Sequence, residues 1–164
     1  MIEKLLHVGA PSPLRVTGTL GGGTGTVCSR GVEAVTLGTV NYKHLPFVQN
    51  GINSVDAGGD DVVSYNFSGC IMAVYKVGGV FKVCHVSTGD GQDCKAEWER
   101  IKGTASAVFE FKPADFVDTG GAALKGVYGL ITADLQTYAI TVVHNTAAGG
   151  DAKIAAIKKA HLLR

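Results

Sequence analysis

The chain has 164 residues, 46% of them hydrophobic and 18% charged, with a formal net charge of +1. That length and composition suit one domain with a core of its own and exclude a disordered segment. The near-neutral charge, with basic residues scattered except at Lys158-Lys159, excludes the dense basic patch that nucleic acid or an anionic lipid surface requires.

The start, Met1-Ile2-Glu3-Lys4-Leu5-Leu6-His7, has no uninterrupted apolar run and carries an early acid, unlike a secretory signal. No stretch reaches the roughly 20 apolar residues of a spanning helix. The expectation is a cytoplasmic monomer, or one carried into a host cytoplasm by a route that needs no signal peptide. Cys28, Cys70, Cys84 and Cys94 contain no CxxC pair and are too few for a disulfide scaffold, so reduced thiols are expected.

The 23 glycines punctuate the chain. Gly21-Gly22-Gly23-Thr24-Gly25 reads as a flexible loop: it looks suited to phosphate, but no Gly-Lys-Ser/Thr follows it. A strand is expected from Ala34 to Tyr42, then a solvated turn at Gly58-Gly59-Asp60-Asp61. Strands follow from Cys70 to Val77 and from Val80 to Val86, joined by Gly78-Gly79. A helix is expected from about Gly91 to Lys102, capped by Asp90 and ended by Gly103, with Cys94, Trp98 and Ile101 on its buried face. Further strands run from Ala105 to Phe111, Val127 to Ala133 and Thr137 to His144. After Gly149-Gly150, Asp151 caps a second expected helix with Ile154, Ile157 and Leu162 on its apolar side and Lys158, Lys159 and Arg164 late. Strands outnumber helices without βαβ alternation. The expected fold is α+β, a single domain over residues 1–164 with a mostly antiparallel or mixed sheet or sandwich and a few flanking helices.

The stretch from Phe67 to Val86 carries the chemistry. Gly-Gly suits a two-residue type I′ or II′ turn, which sets Val77 opposite Val80, Met72 opposite His85 and Cys70 opposite Ser87. Alternation then places Cys70, Met72, His85 and Ser87 on one face and Cys84 with Ile71 and Ala73 on the other. Cys70 and His85 become diagonal neighbours, with Cα atoms roughly 7–8 Å apart. A thiol near an imidazole is a candidate nucleophile, and an adjacent imidazolium favours the thiolate. On that basis Cys70 is expected to titrate well below the free thiol value of about 8.5. Gly69, by a positive φ or a close approach, could aim the amides of Gly69 and Cys70 at an oxyanion. The same spacing also fits a packed, inert cysteine.

Phe67-Ser68-Gly69-Cys70, with His85 fifteen residues after Cys70, resembles the Leu-Ser-Gly-Cys motif and downstream His of bacterial glutamine-deamidating toxins. These are the cytotoxic necrotizing factor and Burkholderia lethal factor type. The resemblance covers roughly Ser64 to Val86 and departs at Phe67, where the motif has Leu. It implies a protein substrate bearing a target glutamine. Cys70 would attack the carboxamide carbon, His85 would serve the leaving ammonia and then water, and the thioester would hydrolyse to glutamate. A primary amine replacing water would give transglutamination. In that family a backbone carbonyl or a hydroxyl orients the histidine, and Ser64 is the candidate hydroxyl, with Ser68 and Gly69 in support. A cysteine peptidase or small-molecule amidase using the same pair, or a non-catalytic β-rich interaction domain, are the alternatives.

Other residues carry less. His144 shares a face with Tyr138, Ile140 and Val142 and is a rival base only if His85 fails. His7, His44 and His161 lack partners at ligand spacing, so neither a metal nor a cofactor is expected. Asn66-Phe67-Ser68 fits a glycosylation sequon that means little without a signal peptide.

Overall fold

The computed structural model describes residues 2–16, 18–88, 94–145 and 152–162, with side chains described as far as residue 160. In chain order the elements are β1 (Val27–Cys28), β2 (Glu33–Leu37), β3 (Val40–Leu45), β4 (Ile52–Asp56), β5 (Asp61–Tyr65), β6 (Ile71–Val77), β7 (Val80–Val86), α1 (Lys95–Thr104), β8 (Ala107–Phe111), β9 (Leu124–Ile131), β10 (Gln136–Val143) and β11 (Lys153–Leu162). Short 3-10 turns at Ile2–Leu5 and Pro113–Phe116 complete them.

Two mixed sheets form. The order in the five-stranded sheet is β1-β4-β7-β6-β8, and in the six-stranded sheet β11-β10-β9-β5-β3-β2. Each holds one parallel pair, β1 with β4 and β3 with β5. The fold is α+β, a sandwich with one α-helix among the described residues. Met72, Val74, Val83 and Phe111 of one sheet pack against Leu45, Val62, Val127 and Ile131 of the other in a shared interior. The outer face of the five-stranded sheet is closed by α1, whose Trp98 and Ile101 bury against Ala73, Tyr75 and Cys84. Trp98 Nε1 also donates to the Glu110 carboxylate, which pairs with Lys102. The N-terminal segment covers the outer face of the larger sheet, where Ile2, Leu6 and Leu14 meet Tyr42, Leu130 and Ile140.

Several expectations change. The expected single strand from Ala34 to Tyr42 is a hairpin, because Gly38 at φ 64° turns the chain and pairs Leu37 with Val40. The last segment is not a helix: β11 runs antiparallel beside β10, and Ile154 and Ala156 alternate inward. Its helical composition yields because β10 offers a row of backbone donors and acceptors that a helix could not satisfy. The first helix begins at Lys95 and holds Gly103 in its last turn. Asp90, Gly149-Gly150, Asp151 and Arg164 lie outside the described residues. Asp61 is no solvated turn residue. It is 2% exposed, and its carboxylate accepts Ile2 N–H at 2.8 Å and Ala133 N–H at 2.7 Å. The glycine-rich loop, otherwise largely exposed, is pinned at Gly23: a Cβ there would sit 2.2 Å from the Gln49 carbonyl oxygen, and Gly23 N–H donates to that oxygen at 3.2 Å.

Two crossings between sheets shape one end of the sandwich. After β3 the chain passes through Pro46–Gly51 into β4, with Asn50 at φ 59°. After β5 it passes through Asn66 at φ 74° towards β6, and the Ser68-Gly69-Cys70 segment lies in that corner.

Candidate active site

The β6–β7 hairpin turns at Gly78-Gly79, with φ of 58° and 79°, the two positive values of a type I′ turn. Its register pairs Val77 with Val80 and Met72 with His85. Met72 and Val83 face the interior, while Ala73 and Cys84 pack against α1. Cys70, one residue before β6, packs with the interior group. His85 is wholly buried.

The imidazole of His85 is held on three sides. Ser64 comes from β5 in the facing sheet, where alternation turns Val62 and Ser64 inward and Val63 outward. The Ser64 hydroxyl lies 2.7 Å from His85 Nδ1 and 2.7 Å from the Leu45 carbonyl oxygen. A carbonyl only accepts, so the one hydroxyl proton goes to Leu45 and Ser64 Oγ must accept from His85 Nδ1–H. That fixes the tautomer with its proton on Nδ1 and leaves Nε2 a bare lone pair. Nε2 has no hydrogen-bond partner among the described residues. The ring is stacked between Phe67, centroids 4.0 Å apart, and Phe47, 4.8 Å apart. Phe67, which departs from the resembled motif, is thus one wall of the histidine's slot.

Close approach of the sheets at this point has a visible cause. Gly129 of β9 is paired with Ser64, and Met72 is paired with His85 on the facing sheet. A Cβ on Gly129 would stand 2.3 Å from Met72 Sδ. The missing side chain gives the methionine its room beside the Ser64–His85 contact.

Cys70 is 5% exposed and lines a cleft of about 600 Å³ with Thr19, Phe47, Gln49, Ser68, Gly69, Ser87 and Thr88. Desolvation raises its thiol above the ordinary 9.0, and the Thr88 backbone N–H and hydroxyl only partly offset this. Burial depresses His85 to about 3. Both shifts favour the neutral forms. The expected lowering of the Cys70 pKa is therefore reversed: with no imidazolium beside it, nothing outweighs desolvation. Nor does a hydrogen bond join Sγ to the imidazole, since the sulfur engages Thr88. The resting pair is a thiol and a neutral base on one face of the hairpin.

Gly69 differs from expectation too. It has no positive φ, and a Cβ there would meet only Thr88 Oγ1, at 4.0 Å. The backbone does not demand glycine here; a side chain would instead stand in the cleft beside Thr88. The backbone N–H groups of Gly69 and Cys70 have no partner among the described residues. The Ser68 hydroxyl is likewise without one.

The remaining thiols and histidines stand apart. Cys84 is wholly buried and pushed strongly upward by desolvation; Cys28 is half-buried and raised, with Arg30 opposing the rise. His144 is exposed just beyond β10, whose Ile140 and Val142 pack on the outer face of the larger sheet, away from Cys70. Among the described residues no group of three His, Cys, Asp or Glu could hold a metal ion, and no helix is long and apolar enough to cross a membrane.

Phe47, the Leu45 carbonyl and Thr88 escaped the sequence reading. Pro46 signals only that β3 stops; the return of Phe47 over His85 depends on the crossing between sheets. Comparison with protein-family models, curated proteins and solved structures finds no match to this chain.

Proposed function

We propose that the chain is a cysteine-dependent amidohydrolase that deamidates glutamine side chains of another protein, an effector acting on a host regulatory protein. The single observation that carries the reading is the Leu45–Ser64–His85 relay, which leaves Nε2 of His85 without a partner among the described residues, in the interior that Cys70 also packs into. The resemblance of Phe67-Ser68-Gly69-Cys70 and His85 to the deamidating toxins supports the substrate class.

In this mechanism Cys70 Sγ attacks the carboxamide carbon as its proton passes to His85 Nε2. The oxyanion is met by the unpartnered N–H groups of Gly69 and Cys70. Nε2–H then protonates the amide nitrogen, the C–N bond breaks and ammonia leaves a thioester. Water, deprotonated by Nε2, attacks that carbon; the C–S bond breaks, sulfur regains the proton, and glutamate results. Because both groups rest neutral, proton transfer accompanies attack rather than preceding it. Ser64 keeps Nδ1–H throughout and so holds the ring's orientation.

The raised Cys70 thiol favours a second reading, a non-catalytic sandwich in which the cysteine is packed. Host lysate treated with wild type and with Cys70→Ser separates the two. Ammonia release and glutamine-to-glutamate conversion on a protein with wild type alone is the expected result. A cut backbone would point to peptidase chemistry, and no change in any protein would overturn the proposal.

A further inference from the structure

Thr88 follows β7 and lies in the cleft wall beside Cys70. Its hydroxyl donates to the Gly69 carbonyl oxygen at 2.7 Å. A threonine hydroxyl has one proton and two lone pairs. With that proton committed to Gly69, or to the Cys70 sulfur once a thiolate forms, the oxygen offers the cleft lone pairs only. The next residue inward has the opposite character. Ser87 Oγ accepts Asn50 N–H at 3.1 Å, and its own proton has no acceptor among the described residues. The cleft beside the sulfur therefore pairs a group that can only accept with a group free to donate.

A carboxamide matches that pair: its oxygen accepts and its NH2 donates. A carboxylate does not match, having two acceptor oxygens, a negative charge and no proton for Thr88. We propose that Thr88 is a specificity-determining residue that selects a carboxamide over a carboxylate next to Cys70, holding the substrate NH2 and discharging the glutamate product. The assignment rests on the reading of Cys70 as a nucleophile open to the cleft. It adds a chemical reason why product does not remain where substrate bound. A buried acceptor facing an acceptor costs more than a missing hydrogen bond, because both oxygens lose water without compensation.

The test needs no knowledge of the natural substrate. Iodoacetamide and iodoacetate differ only in carrying a carboxamide or a carboxylate. With either reagent Sγ forms a bond to the methylene carbon, the C–I bond breaks, iodide leaves and the thiol proton passes to solvent. The rates at Cys70 are measured at pH 9 on the full chain by mass spectrometry of the modified peptide. The ratio of the two rates is normalised to that of free N-acetylcysteine under the same conditions, and Cys28, in a different cleft, reports that both reagents reach the protein. Dividing the rates cancels any change in the Cys70 thiol itself. Wild type should favour iodoacetamide at Cys70 by about tenfold over the reference ratio, the worth of one hydrogen bond gained and one repulsion avoided. Thr88→Val should erase that preference, and Thr88→Ser should restore it. A preference unchanged in Thr88→Val, with both reagents reacting, overturns the role of Thr88 and leaves the nucleophile in place. Failure of both reagents to modify Cys70 in folded wild type, while Cys28 reacts, overturns the nucleophile reading together with this inference.

Discussion

Ser64 and His85 lie on facing sheets, and the 2.7 Å contact between Ser64 Oγ and His85 Nδ1 bridges the interior of the sandwich. The serine is itself anchored to a backbone carbonyl, so the imidazole inherits its orientation from the fold of β3 and β5 rather than from its own strand. Ser64→Ala removes the bridge and strands both the Leu45 carbonyl and Nδ1–H in the core. It should cost about 1–3 kcal/mol in denaturant unfolding. Deamidation should fall by roughly 10²-fold, the low end of what a positioned base supplies. Ser64→Ala that unfolds like wild type and turns over like wild type would dismiss the relay.

Three of the cysteines should separate cleanly. Cys70→Ser should abolish ammonia release while the chain stays folded, since a hydroxyl takes the place of the thiol in a site that opens on the cleft. Cys28→Ala should leave turnover intact. Cys84→Ala, in the α1-facing cluster, should lower the melting temperature without changing turnover per folded molecule. Activity surviving in Cys70→Ser would falsify the mechanism.

Acid should act through the two buried histidines. His85 titrates near 3 in the folded chain against an ordinary 6.5, and His44 is lowered in the same direction, both by desolvation. Above pH 6.5 neither state binds the proton, and no stability depends on these groups. As pH falls below 6.5 the unfolded chain takes up protons that the folded chain refuses, so stability drops, down to about pH 3 for His85. The slope is at most about 1.4 kcal/mol per pH unit for each group. Unfolding free energies from pH 7 to pH 4 should fall less steeply for His85→Gln than for wild type. Equal slopes would show that the imidazole is solvated.

Gly69→Ala tests whether the motif glycine serves the backbone or the cleft. With an ordinary φ and only Thr88 Oγ1 at 4.0 Å, the added methyl should shift stability by less than about 1 kcal/mol. Its place beside the substrate should raise KM for a glutamine peptide while wild-type thermal unfolding is kept. A large loss of stability would return the residue to a conformational role.

Legibility varied with the range of the interaction. The hairpin could be read because Gly78-Gly79 demands positive φ twice and the flanking residues are β-branched, so register follows from local chemistry. The buried face of α1 was likewise readable from Cys94, Trp98 and Ile101. Ser64 could be named only by resemblance, because its contact with His85 depends on β4 leaving the larger sheet between β3 and β5. The segment with Ile154, Ile157 and Lys158-Lys159 suits a helix equally well until β10 is seen beside it. Asp61 next to Asp60 looked solvated because the backbone N–H groups it serves, Ile2 and Ala133, are far away in sequence.

The two-residue turn at Gly78-Gly79 also makes the gene sensitive to a change of length where no catalytic residue stands. One codon inserted there would slide β7 by a single position against β6, turning His85 out towards α1 and Cys84 in beneath Cys70. The interior would then hold two thiols and no base. Drift in loop length, harmless at most hairpins, is barred here by parity.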